Sequence, residues 1–135
     1  MAIPSNCKTN GEMNGNSLLV DTNILLYLLG GDQTLVTLLN EKALYISFIT
    51  QLELLGYKDL TDDQINKIKE LISHCIIIDI NETIKELTIQ IRREYGIKLP
   101  DCIIAASAIY LNLPLISADK ELDRIKQTDL ILYEP

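Results

Sequence analysis

Tryptophan is absent, Phe48 is the single phenylalanine and His74 the single histidine. Proteins that grip single-stranded bases without sequence preference stack them on aromatic rings, a role left here to six tyrosines, so a stacking platform is disfavoured. Basic residues are scarce as well. Twelve Lys and Arg face 19 Asp and Glu, giving a net charge of -7 and a pI near 4.6, the wrong sign for binding that relies on phosphate neutralisation. A polyanionic ligand would need positive charge from another source. Cysteine is limited to Cys7, Cys75 and Cys102, an odd number without C-x-x-C or Cys/His spacing, which indicates neither a disulfide framework nor a zinc site and fits a reducing compartment. The longest apolar runs are broken by Asp or Asn well short of the ~20 residues that span a bilayer. Residues 1 to 17 lack the apolar segment of a signal peptide. The expected location is the cytoplasm, with no membrane partner.

What is present is enough for one folded domain. The chain has 135 residues, 47% of them apolar and 23% charged, with a mean hydropathy of +0.15, too apolar for disorder and too short for two ordinary domains. Residues 1 to 17, MAIPSNCKTNGEMNGNS, carry no apolar periodicity and read as a flexible polar tail. From Leu18 to the end at Pro135, short apolar runs alternate with segments of helical period, the pattern of βα units around a parallel sheet covered on both faces. The expected class is α/β, with about five short strands: Leu18 to Val20, Ala43 to Ile46, Cys75 to Ile78, Leu113 to Ile116 and Leu130 to Tyr133. Helix ends are legible between them. Thr61-Asp62-Asp63-Gln64 is a capping box with Leu60 and Ile65 as its staple, Asn81 caps a helix ending near Gly96, and Pro100 opens another that runs to about Leu111. The segment from Ile24 to Leu39 is rich in leucine, fit either for core or for a partner's surface.

Asp21 follows the first strand and Ser117 and Asp119 the fourth, at the strand ends where open α/β sheets bind ligands. Glu53 lies near the start of the helix after the second strand, and Asp101 in the first turn of the helix opened by Pro100. Four ionised carboxylates in one cleft repel one another, and a hard divalent cation with oxygen ligands, Mg²⁺ or Mn²⁺, is the usual remedy. Each acid also has a bland reading. Thr50 and Glu53 spell a T-x-x-E capping box, Asp101 suits a helix dipole, and Asp21 and Asp119 could be loop or N-cap residues. His74 and Cys102 read as structural. Arg92, Arg93 and Lys98 form the one basic cluster near these acids, able either to position RNA phosphates or simply to sit well at a helix C-terminus.

Together, VDTNILLYLL (20 to 29), ISFITQLELLG (46 to 56), KLPDCIIAASAIYL (98 to 111) and LISADKEL (115 to 122) resemble, in order and spacing, the four acidic motifs of PIN-domain ribonucleases, most closely the small VapC-type toxins of toxin-antitoxin systems. The resemblance implies a single PIN-like nuclease domain over residues 18 to 135, with metal-binding and catalytic acids at Asp21, Glu53, Asp101 and Asp119. Asn23 and Ser117 match supporting positions, and Asp123 ranks below them. The implied activity is an endoribonuclease in which one or two Mg²⁺ or Mn²⁺ ions activate water against an RNA phosphodiester, leaving a 5′ phosphate and a 3′ hydroxyl. The implied partners are a second copy of the chain and a small antitoxin that covers the site and joins it in binding operator DNA. The sequence departs from the family in its polar tail, in Ser117 where Thr is commoner and in Leu122 where an aromatic is frequent. Two rivals stand beside this reading: a haloacid-dehalogenase-like phosphohydrolase, suggested by Asp21-Thr22-Asn23 but lacking the second Asp, and a catalytically silent PIN scaffold that binds RNA or protein.

Overall fold

A computed structural model describes residues 16–135, so the expected tail lies outside the described residues apart from its last two positions. Ser17 is buried and opens β1 (Ser17–Val20), and the Asn16 carbonyl accepts a hydrogen bond from Ala43 N at 2.8 Å. The first strand therefore begins one residue before the apolar run that marks it in the sequence.

The strands β1, β2 (Ala43–Ser47), β3 (Ile76–Ile78), β4 (Leu115–Ser117) and β5 (Leu130–Leu132) form one sheet in the order β3-β2-β1-β4-β5, with every pair parallel. Among the described residues, six α-helices cover it: α1 (Thr22–Leu29), α2 (Gln33–Leu39), α3 (Phe48–Leu55), α4 (Asp62–Ser73), α5 (Glu82–Tyr95) and α6 (Leu99–Leu111). Side chains alternate across a strand, and the core is split accordingly. Leu18, Val20, Leu44, Ile46 and Ile116 pack with residues of α1, α2, α3 and α4, while Leu19, Ala43, Tyr45 and Leu115 pack with α5 and α6. All four residues of β1 are buried, as expected of a central strand covered twice. Most leucines of the 24 to 39 segment join this core, whereas Leu26 and Leu38 are exposed.

Local signals explain the helix ends. The Thr61 side chain accepts from Gln64 N at 3.1 Å and Gln64 returns the bond by accepting from Thr61 N at 2.9 Å, completing the capping box. Asn81 caps α5, which stops at Gly96 in the left-handed conformation (φ 65°) that suits glycine. Small residues on α6, Ala105, Ala106 and Ala108, are buried in the layer it shares with α5. From β1 the chain winds outward through β2 to β3, then returns to the other side of β1 for β4 and β5. The reversal leaves a crevice at the carboxyl ends of β1 and β4, the ligand-binding position of such sheets.

Removing the cap tests the local argument: Thr61→Ala should lower stability by about 1 kcal/mol, read as a reduced urea midpoint with unchanged slope. An unaltered midpoint would show that α4 is held by packing alone.

Candidate active site at the carboxyl edge of the sheet

Asp21 is the first residue after β1 and caps α1 through Thr22 N, which donates to Oδ1 at 2.7 Å. It is almost fully buried. On its other oxygen, Oδ2, it accepts from the Ser117 hydroxyl at 2.6 Å and from Asn23 Nδ2 at 3.4 Å. Ser117, the last residue of β4, also accepts at its hydroxyl from Asp119 N at 3.0 Å. Asn23 completes the bridge, with Ala118 N donating to its Oδ1 at 3.2 Å. The first and fourth motifs thus meet through one serine and one asparagine, at the strand ends where the sequence locates them.

Asp119 caps the short 3₁₀ helix Lys120–Arg124, accepting from Glu121 N at 2.9 Å. The N-cap readings of Asp21 and Asp119 are therefore both realised, and they leave each carboxylate at the crevice. Asp101 stands in the first turn of α6, half-buried. Burial first, then the negative charges of Asp21 and Asp119 and a hydrogen bond shared with Asp119, raise its pKa to about 6, against a smaller pull from the Lys98 ammonium. Burial also pushes Asp21 upward. Hydrogen bonds from Ser117 and Thr22 oppose that rise, and the charges of Asp119 and Glu53 add to it. These mutual effects place Asp21, Asp101 and Asp119 within electrostatic reach of one another.

Glu53 arrives differently from the sequence expectation. The residue capping α3 is Ser47, whose hydroxyl accepts from Ile49 N at 3.2 Å, so Thr50 is not a cap and Glu53 lies in the second half of the helix. The T-x-x-E capping box is not formed, because β2 runs straight into α3 and the last strand residue does the capping. Instead Glu53 Oε1 accepts from the Thr22 hydroxyl at 2.7 Å, which also lies 3.0 Å from the Thr50 hydroxyl. Thr22 escapes a reading of the sequence although it adjoins Asp21. Nothing local distinguishes it, since its partners come from a different helix.

Asp123 is exposed and takes no part in this network. The spacing that suggests it assumes α-helical turns, but a 3₁₀ helix has three residues per turn, which brings the buried Leu122 under Asp119 instead. Arg92 is engaged structurally, its guanidinium and the Cys102 thiol both donating to the Ile97 carbonyl at the α5–α6 corner. Arg93 and Lys98 are exposed.

As they stand, no three Asp, Glu, His or Cys side chains among the described residues are gathered tightly enough to hold a metal ion. The donor set nevertheless fits a hard cation. It is all oxygen, it lies at one edge, and burial together with the neighbouring carboxylates has already lifted the pKa of Asp101.

The sequence model of the PIN domain matches residues 18–127. The chain belongs to the PIN-domain family. A chain of a toxin-antitoxin complex from Klebsiella pneumoniae is 33% identical to this PIN domain and superposes with a TM-score of 0.75, over 87% of this chain and 99% of that one. VapBC-1 from nontypeable Haemophilus influenzae gives 27% identity and 0.69 over 86% and 97%. VapBC2 from Rickettsia felis, solved bound to a DNA fragment from its promoter, gives 24% and 0.74 over 87% and 99%, a likeness of fold. No curated protein matches the sequence significantly. The expected fold, one PIN-like α/β domain with a five-stranded parallel sheet, is the fold observed.

The raised pKa of Asp101 has a measurable sign. Its carboxyl titrates at about 6 in the folded protein and at 3.8 ordinarily, so the native state binds the extra proton between those values and stability falls as pH rises through them. Above pH 6 the contribution stays unfavourable. In EDTA at pH 7, Asp101→Asn should be more stable than wild type by roughly 1 kcal/mol once solvent screening is allowed for, and the gain should vanish near pH 3.8. Urea unfolding at both pH values checks this, and equal stability at pH 7 would mean that neither burial nor the neighbouring carboxylates appreciably penalise the ionised Asp101.

Proposed function

We propose that this PIN domain is a metal-dependent endoribonuclease and the toxin of a toxin-antitoxin pair. The observation that carries the reading is the carboxylate edge itself. Asp21, Asp101 and Asp119 crowd one crevice without a cationic side chain bonded to them among the described residues, Lys98 acting on Asp101 only at a distance.

Asp21, Glu53, Asp101 and Asp119 are the residues proposed to hold one or two Mg²⁺ or Mn²⁺ ions. A divalent cation bound there would lower the pKa of a coordinated water and offset phosphate charge. The chain's own contribution is orientation. Ser117 and Thr22 N fix the two oxygens of Asp21, the 3₁₀ helix fixes Asp119, and the Ile97 corner fixes the approach of α6 and with it Asp101. Lys98 at the head of α6 and the exposed Arg93 are free to meet RNA phosphates, whereas Arg92 spends part of its guanidinium on the Ile97 carbonyl.

The partner reading is supported by the 33% identical chain from a toxin-antitoxin complex. Leu52, Ile89 and Leu99, each more than half exposed, offer apolar surface to a small antitoxin or to a second copy in a homodimer. Among the described residues no helix is long and apolar enough to cross a membrane. The phosphohydrolase alternative needs a second free acid two residues after Asp21, and that position holds Asn23, engaged with Asp21, Ser117 and Ala118 N.

Purified protein should cleave RNA with Mg²⁺ or Mn²⁺ and stop in EDTA. Asp21→Asn and Asp119→Asn should each lose at least about 100-fold in rate while remaining folded by circular dichroism, since ligation needs the charge. A phosphate monoester incubated alongside discriminates the alternative. Hydrolysis of the monoester with RNA intact, or wild-type turnover in Asp21→Asn, would overturn the reading.

A further inference from the structure

Thr22 is the residue through which two of the acids touch. Its backbone N–H donates to Asp21 Oδ1 at 2.7 Å, and its hydroxyl donates to Glu53 Oε1 at 2.7 Å, joining positions 31 residues apart in sequence. A hydroxyl carries one proton. With that proton given to the carboxylate, the 3.0 Å contact to Thr50 Oγ1 must use the proton of Thr50, a side chain that is fully buried. The three groups then form a directed chain from Thr50 through Thr22 to Glu53. Glu53 is a long side chain with several rotatable bonds on a half-buried helix face, and an unrestrained carboxylate there would sample many positions. Among the described residues, Thr22 is the one hydrogen-bonding partner of that carboxylate, and the bond ends on Oε1, leaving Oε2 without a protein donor.

We propose that Thr22 is a positioning residue: its hydroxyl, backed by Thr50, holds the Glu53 carboxylate beside Asp21 so that α3 contributes a ligand to the site. The inference rests on the nuclease reading above and gives a role to two hydroxyls that the four acids alone do not explain. A group hydrogen-bonded to a metal ligand sets that ligand's orientation, and its loss weakens metal binding by about 10–100-fold. Packing alone would make the methyl of Thr22 the important part. Positioning makes the hydroxyl the important part.

Thr22→Val keeps the shape and removes the hydroxyl, Thr22→Ser does the reverse, and Thr50→Val removes only the support. The measurements are Mn²⁺ affinity by calorimetry, kcat and KM for RNA cleavage, and thermal melting. Thr22→Val should bind Mn²⁺ about 10–100-fold more weakly, with kcat lowered at fixed Mn²⁺, KM for RNA unchanged, and rate recovered as Mn²⁺ is raised. Thr22→Ser should restore near-wild-type affinity, and Thr50→Val should shift in the same direction as Thr22→Val by a smaller factor. Wild-type Mn²⁺ affinity in Thr22→Val overturns the proposal, as does an equal loss in Thr22→Val and Thr22→Ser. If Thr22→Val fails to melt cooperatively, Thr22→Ser and Thr50→Val decide: loss in Ser with wild-type affinity in Thr50→Val overturns it. A wild-type protein that binds no Mn²⁺ and cleaves no RNA overturns the nuclease reading, and this inference with it. A wild type that does both while the variants match it overturns the positioning of Glu53 alone.

Discussion

Mutual repulsion among Asp21, Asp101 and Asp119 is the constraint to which the rest of the structure answers. These acids come from the end of β1, the start of α6 and the end of β4, and burial first, with the charges of Asp21 and Asp119 adding to it, holds the Asp101 carboxyl at about 6. Left to themselves such groups would move apart. They stay because each is tied to an element whose position is set by buried apolar contacts on one face of the sheet or the other. The hydrophobic layers thus supply the free energy that the site consumes, a familiar opposition between stability and activity.

The way the carboxylates are satisfied is as informative as their placement. The buried Asp21 could have been neutralised by an arginine or lysine, yet its partners are Ser117, Asn23 and a backbone N–H. Neutral donors meet the hydrogen-bonding needs of a carboxylate and leave its charge in place. The ion pairs among the described residues lie elsewhere, at Lys67–Asp63, Lys85–Glu82 and Arg124–Glu121, on the surface where such pairs contribute little. A chain of net charge -7 therefore keeps interacting carboxylates at the crevice without an ion pair to neutralise them among the described residues. This arrangement suits capture of a small cation better than direct capture of a polyanion.

Much of the fold and of the site is legible in the sequence, and the failures share one cause. Strand positions emerge from continuous apolar runs because both faces of the sheet are covered, and the helices bounded by Thr61, Asn81, Gly96 and Pro100 emerge from local chemistry that acts within a few residues. Asp21, Asn23, Ser117 and Asp119 are legible because their motifs sit at strand ends. The misreading at Thr50 relies on sequence spacing where a tertiary fact prevails, a strand passing directly into a helix, and tertiary facts also bear on the two readings left open: a 3₁₀ turn in place of an α turn at Asp123, and a carbonyl at the next corner that attracts the Arg92 guanidinium. Thr22 is missed for the same reason, its partners lying in another helix.

The bond from Ser117 to Asp21 joins residues 96 positions apart, and β4 must slot against β1 before it can form. During synthesis, Asp21 leaves the ribosome long before its partner has been added, and neither Ser117 nor Asp119 exists while β1, β2 and β3 are being made. The topology completes the carboxylate edge only once β4 has joined β1, after β1, β2 and β3 have been made. A chain interrupted before β4 would carry Asp21, Glu53 and Asp101 but neither Ser117 nor Asp119, so the carboxylate edge is all or nothing with respect to that one strand.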